Sequence, residues 1–446
     1  MASAAEQLAA NMNLGAFAKA DELKKRVWFT LCALVVYRLG TYIPLPGIDP
    51  HVMAVVFEQN AGGILGMFDM FAGGALGRMT IFALNIMPYI SASIIMQLMT
   101  VVSPSLEALK KEGESGRKKM NQYTRYLTVA ITTAQAFGIA AGLEGMRAGG
   151  QSAVIDPGMF FRFTTVVTLV GGTMFLMWLG EQITQRGVGN GISLIIFAGI
   201  VANLPRAVAS TLELGRTGAL SPLMIVFLLA GAVAVIAFVV FMERAQRRII
   251  IQYPKRRQGN KMFEGQSSHL PLKINTSGVI PPIFASSLLL MPTTVLGFAA
   301  GRGPEWLRTI GGMLAHGQPL YLVIYISLIV FFAFFYTAIV FNPVETADNL
   351  KKYGGFVPGI RPGKNTAEYL DRILTRLTVL GAGYLAVVCI IPEILISQYS
   401  VPFYFGGTSL LIVVTVTIDT VAQVHSHLMA HQYEGLIKKT KLKSRR

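Results

Sequence analysis

Long apolar stretches recur along the whole chain, and polar runs or runs rich in glycine and proline separate them. A bilayer core accommodates about 20 apolar residues per helix, and ten stretches come close to that length. Each stretch is therefore predicted to be a transmembrane helix. The predicted spans are Val27–Ile43, Thr80–Val102, Tyr126–Leu143, Met159–Leu179, Gly191–Val208, Leu220–Met242, Val279–Ala299, Tyr321–Phe341, Leu377–Ile394 and Phe403–Val424.

The composition and the placement of charge support this reading. Hydrophobic residues make up 53% of the 446 residues and charged residues only 14%, which is too little charge to cover the surface of a soluble protein of this size. With the N-terminus inside, most of the 39 lysines and arginines fall on the inner side of the predicted spans. This bias predicts that both termini are cytoplasmic and favours an even number of spans. The basic residues on the opposite side are Arg38, Arg78, Arg147, Arg162, Arg206, Arg216, Arg302 and Arg308.

Two proline-bearing segments indicate that the ten spans form two halves of five. The second span contains "MPYISASII" and the seventh contains "PPIFASSLL", and the two segments align at Pro88 and Pro282. Similar segments five helices apart are typical of an inverted repeat with a pathway at the repeat interface, whereas the alternative is that each proline only kinks a packed helix. The predicted organisation is an N-terminal segment 1–26, halves 27–208 and 220–424, and a basic cytoplasmic tail 425–446.

The two longest inner loops, 243–278 and 342–370, are strongly basic. In "RRIIIQYPKRRQGNK" a β-branched run follows two arginines, which predicts a twisted hairpin. The second loop contains "KKYGGFVPGIRPGKNT", whose glycines and prolines predict turns around Arg361. Such charge serves topology and anionic lipid, but the length of the loops favours docking of a macromolecule. Ribosomal RNA and an acidic protein surface both remain open as the partner.

The stretch Gly62–Arg78, "GGILGMFDMFAGGALGR", is apolar but far too short to cross a bilayer. It follows the first span, so it can fold back from the outer side without crossing. Nearby, Ile86 and Ile90 share one helical face of the second span, and Ile192 and Ile196 repeat this spacing in the fifth. Such pairs belong to ordinary packing unless the helices surround a common axis, where they would form an apolar constriction that excludes water and ions.

Candidate catalytic chemistry is absent from the predicted spans. Ionisable groups lie at span ends rather than at mid-span, and neither a Ser-His arrangement nor a pair of carboxylates occurs within the bilayer. No P-loop for nucleotides is present, and the tail histidines His425, His427 and His431 are interpreted as a solvated helix end rather than a metal site. We therefore expect no enzymatic activity, no metal and no cofactor. An ion-coupled secondary transporter with inverted repeats is the alternative, and it would need ionisable groups at the midplane.

Longer strings carry a resemblance to a known family. From "RLGTYIPLPGID" through "ALNIMPYISASIIMQL", "KKEGESGRKKMNQYTRY", "MWLGEQITQRGVGNGISLIIFAGI" and "HLPLKINTSGVIPPIFASS" to "FNPVETADNLKKYGGFVPGIRPGKNT" and "VPFYFGGTSLLIVV", the chain resembles the SecY/Sec61-alpha family of protein-conducting channels. The resemblance implies an all-α fold of ten helices, in two inverted pseudo-symmetric five-helix halves around a central hourglass pore. It also implies a re-entrant plug helix and a lateral gate between the second and third spans and the seventh and eighth.

The resemblance also assigns roles to individual residues. It implies a pore ring of Ile86, Ile90, Ile192, Ile196, Ile283 and Ile412. It makes 64–78 the plug, with Ile64, Leu65, Met67, Phe68 and Phe71 covering the ring, Asp69 and Arg78 facing the wet outer funnel, and Gly73, Gly74 and Gly77 as the hinge. It places Ser91, Gln97 and Asn275 at the lateral gate. It implies docking of the SecA motor or the ribosome at Arg247, Arg248, Lys255, Arg256, Arg257 and Arg361.

The implied activity is passive conduction of unfolded secretory polypeptides across the bacterial inner membrane, with lateral release of transmembrane segments into it. The implied partners are SecE-like and SecG-like small membrane subunits, the SecA motor, the ribosome with its RNA and proteins, signal sequences and nascent polypeptides, and anionic lipids. One departure concerns the tip of the hairpin, which reads Asn260-Lys261 where members of the family often carry two arginines. This difference puts the contribution of the tip to docking in doubt.

Overall fold

The computed structural model is mostly helical, with small antiparallel sheets. It describes residues 21–60, 69, 72–148, 151–217, 221–253, 256–258, 261–263, 267–299, 309, 313, 318–399 and 407–443. In these residues the helices are α1 Asp21–Gly40, α2 Pro50–Asn60, α3 Met87–Val102, α4 Pro104–Lys111, α5 Glu114–Gly145, α6 Met159–Arg186, α7 Gly191–Arg216, α8 Pro222–Arg244, α9 Ile280–Ala299, α10 Pro319–Val340, α11 Pro343–Lys352, α12 Lys364–Tyr399 and α13 Gly407–Lys443. The strands are β1 Arg147–Ala148, β2 Gln151–Ser152, β3 Gln246–Gln252, β4 Arg256–Gln258, β5 Lys261–Phe263 and β6 Ser267–Lys273.

Several of these helices are long and apolar enough to cross a bilayer. Within the described residues there are seven, or eight if α3 and α4, which are bent by 101° at Ser103, count as one broken span. The all-α membrane fold is thus confirmed, while the total of ten spans stays a prediction. Helices α12 and α13 run well beyond the predicted ninth and tenth spans.

The second span was predicted to begin at Thr80, and this helix start is wrong. Residues 72–86 form a succession of turns, and α3 begins only at Met87. Pro88 lies in the first helical turn, where a missing N–H costs no hydrogen bond. Before it, Met79 and Asn85 have φ of +45° and +49°, which are left-handed values that break a right-handed helix. The chain therefore reaches the middle of the predicted span in an irregular conformation.

The turns predicted around Arg361 in the loop 342–370 are confirmed, and a short helix that was not predicted precedes them. The first third of the loop is this helix, α11, which begins with Pro343 in the first turn and Asn342 as the capping residue. The Asn342 side chain accepts hydrogen bonds from the N–H groups of Val344 and Glu345, so it satisfies donors that a helix start leaves open. Turns occur only in the remainder of the loop, before α12 begins at Lys364.

The predicted hairpin in the loop 243–278 is confirmed. Strands β3 and β6 pair antiparallel over seven residues, from Gln246 opposite Lys273 to Gln252 opposite Ser267, and β4 pairs with β5 further out. Strand β3 alternates, with Ile249 and Ile251 buried and Ile250 between them exposed. This alternation gives the hairpin one apolar face that needs a partner.

The described residues fall into two compact units. One groups those of Met1–Pro205, Gly297–Gly303 and Val416–Arg446, and the other groups those of Arg206–Leu296 and Pro304–Thr415. In the first unit, α5 and α6 are joined near both ends by arginine–carboxylate pairs, Arg125 with Glu181 and Arg162 with Glu144. The proposed halves, 27–208 and 220–424, stay a prediction.

Candidate functional site

The plug predicted at 64–78 is described only in part. Ile64, Leu65, Met67, Phe68 and Phe71 lie outside the described residues, so their roles stay predictions. Asp69 is described, and its side chain binds the chain that follows it: its Oδ1 accepts a hydrogen bond from the Gly77 N–H at 2.6 Å. The carbonyl of Asp69 accepts another from the Gly74 N–H at 2.9 Å. Asp69 thus closes the turn at the end of the predicted plug.

Two of the three predicted hinge glycines adopt conformations that other residues disfavour. Gly73 and Gly74 have φ of +66° and +82°, a left-handed region that glycine enters without steric cost. A Cβ on Gly73 would also lie 2.9 Å from the Cα of Gly199 in α7. The last part of the predicted plug therefore passes α7 at a distance that only glycine permits.

Arg78 and Arg38 converge on the same turn. The carbonyl of Gly73 accepts hydrogen bonds from Arg38 Nη1 at 2.6 Å and from Arg78 Nη2 at 3.3 Å. Both guanidinium groups also lie near the ring of Tyr42, with Cζ at 5.1 Å and 4.2 Å from its centroid, which is within the range of a cation–π contact. Arg78 thus packs on Tyr42, two residues after α1, and together with Arg38 it stabilises the turn near the end of the predicted plug.

Backbone hydrogen bonds attach the next residues to the chain after α1. Leu45 N–H donates to the carbonyl of Met79, and Ile81 N–H donates to that of Ile43. Pro44 and Thr80 form an isolated bridge between the same segments. Residues 79–81 are thereby tied to the segment after α1, while a hinge at Gly73, Gly74 and Gly77 stays a prediction.

The isoleucines of the predicted pore ring are mostly buried. Ile86 immediately precedes α3 and Ile90 follows one turn later, and both are buried. At the start of α7, Ile192 is half-buried and Ile196 is buried. In the second unit, Ile283 of α9 is half-buried and Ile412 of α13 is buried. Each unit thus supplies members of the predicted ring at the starts of its helices, and their assembly into one ring stays a prediction.

The predicted gate residues lie in different surroundings. Ser91 and Gln97 both belong to α3, where Ser91 is buried and the Gln97 amide donates to Ser93 Oγ at 3.4 Å. The Gln97 Oε1 atom is buried and has no hydrogen-bond partner among the residues that the structure describes. A buried polar atom without a partner is uncommon in a folded protein, and the role of Gln97 at the gate stays a prediction.

Asn275, in contrast, is fully engaged within the second unit. Its Nδ2 donates to Glu243 Oε1 at 2.6 Å and to the carbonyl of Gly278 at 3.0 Å, and its Oδ1 accepts from Ser277 Oγ at 3.1 Å. Glu243 is the functional candidate that the sequence analysis missed. A lone carboxylate directly after the apolar run of the sixth span was the available indication, because a charge in that position needs a partner.

The docking residues are described in part. Arg247 and Arg248 are exposed on β3, and Arg361 is exposed in the turns before α12. Lys255 lies outside the described residues, and Arg256 and Arg257 lie on β4, with nothing described of their side chains. The described arginines therefore retain the exposure that docking requires.

The two basic loops are joined into one body, which the sequence analysis did not foresee. Gln252 and Phe356 exchange backbone hydrogen bonds of 2.9 and 3.0 Å, so the second loop adds to the edge of β3. Beneath the hairpin lies a core of residues from the hairpin, the second loop and the start of α12: Ile249, Leu272, Val357, Leu370, Ile373, Leu374 and Leu377. The exposed arginines of both loops thus stand on one shared scaffold.

Comparisons with known proteins agree with this architecture. Solved structures with the same fold include a protein-conducting channel (19% identity, TM-score 0.62, covering 91% of this chain and 92% of that one) and Sec61 in a canine ribosome–channel complex from the endoplasmic reticulum (18% identity, TM-score 0.58, covering 91% and 92%). At these identities the likeness establishes the fold, which is that of protein-conducting channels.

The relatives by sequence are much closer. The SecY family model matches residues 80–421. The chain is 59% identical to protein translocase subunit SecY of Escherichia coli strain K12 over 95% of each chain, and 56% identical to that of Rickettsia typhi over 95% of this chain and 98% of the relative. The chain therefore belongs to the SecY family.

Proposed function

We propose that the chain is the protein-conducting subunit of a bacterial translocase, which passes unfolded secretory polypeptides across the inner membrane and releases transmembrane segments laterally into it. The observation that carries this proposal is the match to SecY translocase subunits at 55–59% identity over 95% of the chain. The alternative of an ion-coupled transporter is not favoured, because the match to SecY covers 95% of the chain, and the family model includes both basic loops.

The seal of the resting channel rests on two groups of apolar residues. Ile86, Ile90, Ile192 and Ile196 in the first unit and Ile283 and Ile412 in the second form the proposed ring. A narrow apolar neck excludes water and ions. In the proposed mechanism its isoleucine side chains move aside when an extended polypeptide passes. The proposed plug, 64–78, covers the ring from the outer side, and its exit turn is supported by Arg38, Tyr42 and Arg78 as described above.

A signal sequence enters from the cytoplasm and intercalates at the lateral gate, where Ser91, Gln97 and Asn275 supply polar groups in the proposed arrangement. The unpaired oxygen of Gln97 supports such a role. The channel is passive, so energy comes from partners. Both termini lie in the cytoplasm in this proposal, as the distribution of basic residues requires.

The basic body of the two inner loops is the proposed docking surface for the ribosome or the SecA motor. Exposed Arg247, Arg248 and Arg361 on one scaffold support binding to a phosphate-rich or acidic partner, and a solved relative of this fold, the yeast Ssh1 complex, is bound to a ribosome. Lys255, Arg256 and Arg257 extend the surface. SecE-like and SecG-like subunits and anionic lipids complete the proposed assembly.

Photocrosslinking tests the conducting path directly. A photoreactive residue is placed at Ile86, Ile192 or Ile412, one at a time, and a secretory chain is stalled during export. We expect all three positions to label the stalled chain, whereas the same residue at Val233 of α8, which is exposed on the outside of the unit, labels lipid instead. If none of the three labels the chain, the proposed path is wrong.

A further inference from the structure

The base of the cytoplasmic hairpin is closed by a buried polar junction. Helix α8 ends at Arg244 and β3 begins two residues later, while β6 ends at Lys273 and α9 begins at Ile280. The Ile274 N–H donates to the carbonyl of Ala245 at 3.1 Å, which forms the last backbone rung. The bond from Asn275 Nδ2 to Glu243 Oε1, at 2.6 Å, lies directly beyond this rung. It connects the end of one helix to the chain that starts the next.

The hydrogen bonds of Asn275 leave its amide no spare donor. A side-chain amide has two N–H donors, and these go to Glu243 and to the carbonyl of Gly278. The oxygen accepts from Ser277. Asn275 and Glu243 are only 3% and 8% exposed. Asn275 can therefore offer a donor to an entering segment only after it has released Glu243 or the turn at Gly278.

A third helix covers this junction. Gly381 of α12 faces it so closely that a Cβ there would lie 3.0 Å from the carbonyl oxygen of Ile274 and 3.5 Å from the Cα of Asn275. One turn on, Tyr384 lies beside Glu243, and its ring packs edge-on against Phe238 of α8 at 5.7 Å. All of these residues belong to the second unit, so the junction is complete within it.

Separating this pair is unfavourable on physical grounds. A buried carboxylate that loses a hydrogen-bond donor still bears the cost of desolvation, and it loses part of what offsets that cost. The end of α8, the base of the hairpin and the start of α9 should therefore move together as long as the pair is intact. Helix α9 is part of the lateral gate proposed above. If α9 moves relative to α8, the hydrogen bond between Glu243 and Asn275 either breaks or forces the end of α8 to move with α9.

We propose that Glu243 is a positioning residue of the lateral gate, which acts through Asn275: it holds the start of α9 in the closed position and thereby raises the threshold that a signal sequence must overcome. This inference rests on the proposed channel function. It assigns Asn275 an intramolecular partner, rather than a direct contact with the entering segment, in the resting state.

An exchange of the two polar groups tests the proposal. Asn275→Asp brings two carboxylates to the 2.6 Å contact and removes its donor, so we expect a several-fold increase in export of a preprotein with a defective signal sequence. Adding Glu243→Gln restores one donor and one acceptor across the contact, so the double variant should return toward wild-type selectivity. Glu243→Gln alone keeps an acceptor for Asn275 and should lie close to wild type. Glu213→Gln, at an exposed carboxylate near the end of α7 and outside the proposed docking surface, is the matched control and should leave selectivity unchanged.

The measurements separate this inference from the channel proposal. Two further measurements are made on each variant: export of the same preprotein with an intact signal sequence, and the amount of variant protein inserted in the membrane. They reveal whether Asn275→Asp folds poorly. If it does, Glu243→Ala serves as the second disrupting variant. If the double variant is no closer to wild type than Asn275→Asp, or if neither disrupting variant changes selectivity, Glu243 has no positioning role. The channel proposal survives such a result if a photoreactive residue at Ile86, in an otherwise wild-type protein, still labels a stalled secretory chain. If that crosslink is absent, the channel proposal itself is refuted.

Discussion

At the scale of single residues, the turn near the end of the predicted plug shows how a backbone conformation determines which residue type is tolerated. Glycine was expected at 73, 74 and 77 as a hinge, and two of these residues do have left-handed φ values. The sequence could not reveal that a Cβ added at Gly73 would lie only 2.9 Å from the Cα of Gly199. Nor could it reveal that two arginines donate hydrogen bonds to the carbonyl of Gly73. Those contacts join residues that are far apart in the chain, and periodicity carries no information on them.

Gly73→Ala should destabilise this turn. The left-handed conformation costs a residue with a Cβ about 1–2 kcal/mol, and the close approach to Gly199 adds to that cost. We expect a lower unfolding temperature of the purified protein in detergent and a higher resting ion leak. The control is Gly138→Ala in α5, where a Cβ meets nothing within 4 Å and helix propensity improves. Equal thermal stability of the two variants would contradict the role given to Gly73.

At the scale of elements, the predictions were good where one local pattern decides the structure and poor where two patterns compete. The β-branched run after Arg248 was enough for the hairpin. Helix α11 was not predicted, because the glycines and prolines that follow it were taken to describe the whole loop. Asn342 followed by Pro343 is nevertheless a typical helix start. The start of α3 was placed too early, since hydropathy continues through the turns 72–86 and only Pro88 marks the true beginning. The Glu243–Asn275 pair depends on hairpin closure, so no local pattern predicts it.

The shared core beneath the two basic loops makes a prediction at this scale. Leu374 of α12 is buried among residues of the hairpin and the second loop, so Leu374→Ala should cost about 2–5 kcal/mol of local stability. Because the core supports both loops, we expect faster proteolysis in the hairpin and weaker ribosome binding, although no basic residue has changed. Leu380→Ala, on the exposed side of the same helix, is the control. Unchanged proteolysis and binding in Leu374→Ala would show that the two loops act independently.

At the scale of the whole molecule, the class of protein follows from hydropathy and charge, but the pore does not. Ile86 and Ile90, like Ile192 and Ile196, have the spacing of any packed helical face, and Ile283 and Ile412 were named only through the family resemblance. Such residues form a ring only if they meet around a common axis, and no single helix can show that. A test of the ring therefore has to measure the intact channel rather than any one helix.

Polar replacement in the ring provides that test, because an apolar neck excludes ions only while its lining stays apolar. Ile86→Asn and Ile192→Asn should each raise the conductance of the resting channel in a planar bilayer, whereas Ile86→Leu, which keeps volume and hydrophobicity, should not. If both polar variants conduct like wild type, the isoleucines do not seal. Deletion of 64–71 removes the apolar part of the proposed plug and should also raise the leak. Ring and plug are barriers in series, so the deletion combined with Ile86→Asn should leak more than either change alone.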